Sequence, residues 1–231
     1  MKTKLTTVIT FLLISQYCLG QNDYPTSNET HIFWQPDIKI TKNDYQGKPT
    51  IRGDEIMDEY GITSSASVGI WSVLDTPKKK KDRYRKFEKV YFAPAFEKTT
   101  SYIRTDDSLQ IEMQNLYFDI CEVWARWARK ELQSLQDKMQ GTGTLSIFYL
   151  TIEEDMQESR ISTFRAYFKD VFIDKIDGAF EKWKKEIDET LEKTKIWATK
   201  PEECYRLMTR KPIEKDYIMA PNLVGSLNSK R

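Results

Sequence analysis

Residues 111–132 read IEMQNLYFDICEVWARWARKEL, and the spacing of the apolar side chains in and around this run decides the architecture. Leu109, Met113, Leu116, Ile120, Val123 and Trp127 follow at steps of 4, 3, 4, 3 and 4, the period of one helical face. Tyr117, Cys121, Trp124, Ala128 and Leu132 widen that face into a stripe broad enough for a core. Asp106, Asp107 and Ser108 cap a helix start and put negative charge where the dipole favours it. Gly141 and Gly143 end the run, so a helix over about 109–137 is expected.

Upstream of Asp106 the pattern is that of strands. HIFWQ (31–35) and DIKIT (37–41) gather β-formers around Pro36, and GITSSASVGIWSVL (61–74) reads as a buried strand. FEKVYFAPAF (87–96) alternates apolar and polar residues until Pro94, which is expected to close it. NDYQGKP (43–49) and DTPKKKKDR (75–83) carry turn chemistry between them. Downstream, a second helical region from about Leu145 to Lys195 keeps period 3.6 through Ile161, Phe164, Phe168, Val171, Phe172, Phe180, Trp183, Ile187 and Leu191. Asp177-Gly178 is its expected break. Strands first and helices second predict an α+β fold, a small N-terminal antiparallel sheet packed on two or three long helices.

The chain opens MKTKLTTVITFLLISQYCLG. Lys2 and Lys4 precede a short apolar run at 8–14, and Cys18 and Gly20 are small residues before Gln21, so residues 1–20 read as a signal peptide. The alternative is a lipoprotein attached through Cys18, which the bulky Tyr17 disfavours. The expected divisions are a polar leader at 21–30, one domain at 31–195, and a polar, partly ordered tail at 196–231. Without Lys2 and Lys4 the chain has 34 basic and 35 acidic residues, a balance that argues against a dedicated nucleic-acid binder. No later apolar run reaches transmembrane length, so a soluble or peripherally attached, periplasmic or secreted protein is expected. Asn28-Glu29-Thr30 fits a glycosylation sequon. Cys121 and Cys204 can form one disulfide in an exported protein, or remain buried thiols; the spacing leaves both open.

A zincin helix needs two imidazoles one turn apart and a glutamate beside the first. In residues 111–132 that spacing falls on Met113, Gln114 and Tyr117, none of which suits a hydrolytic zinc. His31 is the chain's one histidine, which excludes a His-ligated catalytic zinc. The residues that follow are nonetheless informative. Phe118-Asp119-Ile120-Cys121-Glu122-Val123-Trp124-Ala125-Arg126, then Arg129-Lys130-Glu131-Leu132, resembles the block HFDIAELYARKLRKEL of an uncharacterised family of secreted bacterial zincin-like proteins, whose motif reads HEQGHFDIAE. Aligning Phe118-Asp119 with the motif's Phe-Asp sets Met113 and Tyr117 on its histidines and Gln114 on its glutamate.

The resemblance extends to Trp34 with Asp44-Tyr45-Gln46-Gly47-Lys48-Pro49, similar to the family's W…DFKGKP. It continues through the small-residue run at 64–70, Tyr91-Phe92 with Ser101-Tyr102-Ile103, and Trp183-Lys184-Lys185-Glu186-Ile187 with Leu191, covering about 33–191. It implies a zincin-like fold with a degenerate metal site at Met113, Gln114 and Tyr117, no cofactor, and Asp119 and Glu122 beside a remnant cleft. The implied function is non-catalytic binding of a protein, peptide or envelope component. One competing expectation is a metal-dependent hydrolase using Asp119, Glu122 and carboxylates of the second helical region. Another is a structural envelope protein packed smoothly over Met113 and Tyr117.

Other runs carry weaker chemistry. Lys78, Lys79, Lys80, Lys81, Arg83 and Arg85 surround Tyr84 and could meet phosphates or anionic lipid, but Asp75, Asp82 and Glu88 dilute them to a solvated loop. Gly141-Thr142-Gly143-Thr144 reads as a turn between helices, and Glu153-Glu154-Asp155 as an acidic helix start. His31 has no nucleophile near it in sequence.

Overall fold

A computed structural model describes residues 24–220; the expected signal peptide, the first three leader residues and residues 221–231 lie outside the described part. The described chain is mixed α and β, a small antiparallel sheet with five helices. Strands β1 (His31–Phe33), β3 (Val68–Pro77), β4 (Lys89–Glu97) and β6 (Tyr217–Met219) form a sheet in the order β1-β4-β3-β6. The pair β2 (Ser64–Ser65) and β5 (Tyr102–Ile103) stands apart. Helix α1 (Ile51–Tyr60) precedes the sheet's central hairpin, and α2 (Ser108–Met139), α3 (Thr144–Phe168), α4 (Ala179–Lys193) and α5 (Pro201–Thr209) follow it.

β3 and β4 pair from Val68 opposite Phe96 to Asp75 opposite Lys89, and their alternation builds two cores. Ile70, Leu74 and Phe92 face Tyr117, Cys121, Ala125 and Leu132 of α2 and Tyr149 and Met156 of α3. Trp71, Val73, Ala93 and Ala95 face Cys204 and Leu207 of α5. Helices therefore cover both faces of the sheet. Pro94 does not close β4, as its sequence position suggests; it lies inside the strand, opposite Ile70. Its carbonyl accepts from Trp34 N at 3.0 Å, so its missing N–H points to where β1 ends and leaves the β3 ladder intact.

Two further expectations are corrected here. Residues 37–41 form no strand, because Ile40 has a side-chain amide instead of a strand as its partner. Asn115 of α2 accepts from Ile40 N at 2.8 Å and donates to Ile40 O at 3.0 Å. Helix α1 was hidden in the sequence because only Met57 of its ten residues is buried, so it shows no apolar stripe. Its start is set by Thr50, which accepts from Gly53 N at 3.1 Å, and its end by Gly61 in the left-handed region, φ 67°.

α2 begins where Asp107 accepts from Leu109 N and Gln110 N. α3 passes through a π-helical turn, Lys169–Ile173, and the expected break is realised at Gly178, φ 71°, which starts α4. Glu153-Glu154-Asp155 is interior to α3 rather than a helix start. The expected tail boundary near 195 is not one either. Residues 201–219 form α5 and β6, which pack on the sheet face opposite α2 and pair with the end of β3. Nine residues with two apolar anchors, Cys204 and Leu207, carry too little periodicity to announce a helix. Among the described residues no helix is long and apolar enough to cross a membrane.

Candidate functional site

α2 passes under the start of β3, and three of its side chains meet the strands there. Gln114 Nε2 donates to Ser64 O at 3.1 Å, and the Tyr117 hydroxyl donates to Val68 O at 3.3 Å. Tyr117 also accepts from Arg160 Nη1 of α3 at 2.7 Å and packs on Phe164 with ring centroids 4.1 Å apart. Arg160 Nε donates to Gln157 Oε1 at 3.1 Å, and Gln157 Nε2 donates to Ile70 O at 3.1 Å. Met113, one turn before Tyr117, turns elsewhere: it joins the cluster of Met57, Ile120, Tyr167 and Phe180. The two positions that the resemblance matches to histidines thus serve separate apolar clusters.

This arrangement does not fit zinc. A guanidinium donates to the Tyr117 oxygen, and burial pushes the phenol well above its usual range, away from the phenolate that would ligate a metal. Among the described residues no group of three or more His, Cys, Asp or Glu side chains is placed to hold a metal ion.

The carbonyls of Val68 and Ile70 lie on an open strand edge. β6 pairs only with residues 75–77 of β3, followed by one bond from Ala220 N to Leu74 O at 2.9 Å. Among the described residues no strand pairs with that edge of residues 68–73. A groove of about 500 Å³ runs along it, bounded by Glu153 of α3, Arg210 and Met219. A separate cavity of about 140 Å³ is lined by Met57, Ile62, Ser64, Gln114, Phe164 and Phe168. Ser64 is fully buried there, and its Oγ has no hydrogen-bond partner.

Asp119 and Glu122 are not in this cleft. Asp119 Oδ1 accepts from Trp34 Nε1 at 2.7 Å, its Oδ2 lies 3.6 Å from Lys39 Nζ, and burial raises its carboxyl above the ordinary range. Glu122, fully buried, accepts from Arg126 Nε at 2.7 Å, Thr199 N at 2.8 Å and Thr199 Oγ1 at 2.5 Å. Both are braces that tie α2 to the segments flanking β1 and α5. Glu122 meets only protein, whereas Asp119 with Lys39, Asn115, Phe180 and Lys184 lines a separate pocket of about 310 Å³.

Cys121 and Cys204 are free thiols, so no bridge joins them. Cys121 packs on the α2 face of the sheet and Cys204 on the α5 face, and a disulfide would have to cross the sheet between them. His31 sits in the sheet's first strand, its ring edge-on to Trp71 at 4.7 Å and its Nδ1 2.8 Å from Thr30 Oγ1; burial lowers its pKa. The residues that sequence reading missed are Gln157 and Arg160. Their spacing of three on α3 was the available signal, with a cation set between Met156 and Phe164 on a face that is otherwise apolar.

No family model, no curated protein and no solved structure matches the chain.

Proposed function

We propose that the chain is an exported, non-catalytic, zincin-like domain that binds an extended peptide segment along the open edge of β3. The observation that supports it is the unpaired edge at residues 68–73 fronting a groove of about 500 Å³. Free N–H and C=O groups on a strand edge are a ready template for another strand. The Tyr117 and Gln157 side chains that hold Val68 O and Ile70 O in the free protein would give way to main-chain donors of the peptide. Arg160 has no carboxylate partner among the described residues and would favour an acidic side chain nearby. The Tyr117–Arg160 pair, on the face where the resemblance places a metal, is what makes the reading non-catalytic.

The edge carries the test. Leu74 directs its main-chain groups to the β6 side, so Ser72, two residues earlier, directs its N–H to the same open edge. Ser72→Pro removes that donor, whereas Ser72→Ala removes only the hydroxyl bonded to Tyr149. Fluorescence anisotropy with an extended-peptide library should show binding that Ser72→Pro weakens by about tenfold and Ser72→Ala leaves within about twofold. Equal effects of the two variants would refute edge pairing. Stoichiometric bound zinc with chelator-sensitive peptide cleavage would refute the non-catalytic reading. The same titration with a chain ending at Ala220 separates the added peptide from the last eleven residues as occupants of the edge.

A further inference from the structure

At the far end of β3, the connection to β4 is a short 3-10 turn, Lys80–Tyr84, set in a run of exposed cations. Residues 78–87 hold seven basic side chains and one acidic one, Asp82. Lys86 is engaged by Asp216, and the neighbouring Lys89 by Glu214. Among the described residues Lys78, Lys79, Lys80, Lys81, Arg83 and Arg85 have no carboxylate within ion-pair distance. Tyr84, amid them, is 84% exposed, and Phe87 is 49% exposed.

A separate element brings more apolar surface to the same end. Glu88, where the basic loop closes, accepts from Ser146 Oγ at 3.3 Å, so the turn between α2 and α3 lies against the loop. That turn exposes Met139 at 58% and Ile147 at 69%. Two connections distant in sequence therefore place large apolar side chains among cations that have no carboxylate partner among the described residues, at one end of the fold. Solvation alone accounts for the lysines but not for the four exposed apolar groups.

We propose that this end of the molecule docks on an anionic lipid bilayer, with the cations at the headgroups and Tyr84, Phe87, Met139 and Ile147 at the acyl boundary. Such a surface meets both halves of the patch. A nucleic-acid backbone would meet the charges but has no apolar layer for Met139 and Ile147. The inference is independent of the peptide reading, because the open edge at residues 68–73 and the basic run from Lys78 share no residue and lie about 17 Å apart along β3 at their nearest. A docked molecule would hold the open edge of β3 away from the membrane.

Vesicle co-sedimentation tests this with the chain from Gln21 onward, which keeps every described element and removes the apolar leader. Binding is expected to vesicles of phosphatidylcholine with about a third phosphatidylglycerol, weakening as salt screens the charges, and not to phosphatidylcholine alone. Changing Lys78, Lys79, Lys80 and Lys81 together to Gln should lower partitioning by roughly six hundredfold, since each of the four cations near the surface contributes about fivefold. The pair Tyr84→Ala and Ile147→Ala should lower it by about tenfold while leaving its salt dependence unchanged. Equal binding to neutral vesicles would overturn the proposal, as would wild-type partitioning of the lysine variant with an unchanged melting temperature. Binding to a single-stranded oligonucleotide but not to anionic vesicles would assign the patch to nucleic acid and also overturn it.

Discussion

Arg206 of α5 grips Asp75 of β3 through two parallel hydrogen bonds, Nε to Oδ2 at 2.6 Å and Nη2 to Oδ1 at 2.5 Å, with both side chains 1% exposed. This fork joins residues 131 positions apart and fastens the C-terminal helix to the sheet. Removing one partner strands a buried charge. Arg206→Met should cost about 3–5 kcal/mol in urea unfolding, and adding Asp75→Leu should recover most of the loss. A single-variant cost under about 1 kcal/mol would show that water reaches the pair.

Tyr117→Phe tests the polar contacts at the open edge. It keeps the ring on Phe164 and deletes the hydroxyl that joins Arg160 to Val68 O. A loss of about 1–3 kcal/mol is expected from the stranded partners, measured by thermal or urea unfolding. The hydroxyl carries no stability if the variant melts with the wild type.

Burial pushes the thiols of Cys121 and Cys204 up to about 12. Both should therefore resist a thiol reagent at neutral pH in the native state and react on unfolding. The sign of the pH effect follows: these folded-state values are raised, so the stability they carry is full below the unfolded value near 9. It is lost as pH rises toward about 12. Rapid labelling of either cysteine in the native protein would contradict this packing.

Asp119 follows the same logic at lower pH. Burial first, against a hydrogen bond from Trp34 and the charge of Lys39, raises its carboxyl. A raised folded value stabilises the fold below the ordinary carboxylate range, and that contribution is lost as pH rises through the folded value. Asp119→Asn keeps an acceptor for Trp34 and removes the buried charge. Unfolding curves from acid to neutral pH should show the variant gaining on the wild type as pH rises, by no more than about 1 kcal/mol. A variant that loses ground across that range would mean the ion pair with Lys39 outweighs burial.

The long helix was legible because its own residues define it. An apolar stripe at period 3.6, a capping aspartate and terminal glycines lie within one segment, and α2 follows them closely. The α3 and α4 pair was legible for the same reason, and so was the break at Gly178. Helix α1 and helix α5 were not: α1 buries only Met57, two of the four residues α5 buries are the charged Glu203 and Arg206, and their anchors are distant, Tyr102 for α1 and Asp75 for α5. The 37–41 run shows the same limit, with strand-like residues that bond to Asn115 rather than to a strand.

The candidate site divides in the same way. By itself the sequence determined that Met113, Gln114 and Tyr117 share neighbouring turns of one helix and that no histidine accompanies them. Only the tertiary structure decided that Glu122 faces protein while Asp119 borders a pocket apart from the open edge, that the two cysteines lie on opposite faces of the sheet, and that Arg160 reaches Tyr117. Helical period is a local property of the backbone and can be read from spacing. Which side chain meets a given face depends on elements brought together by packing, and no spacing records it.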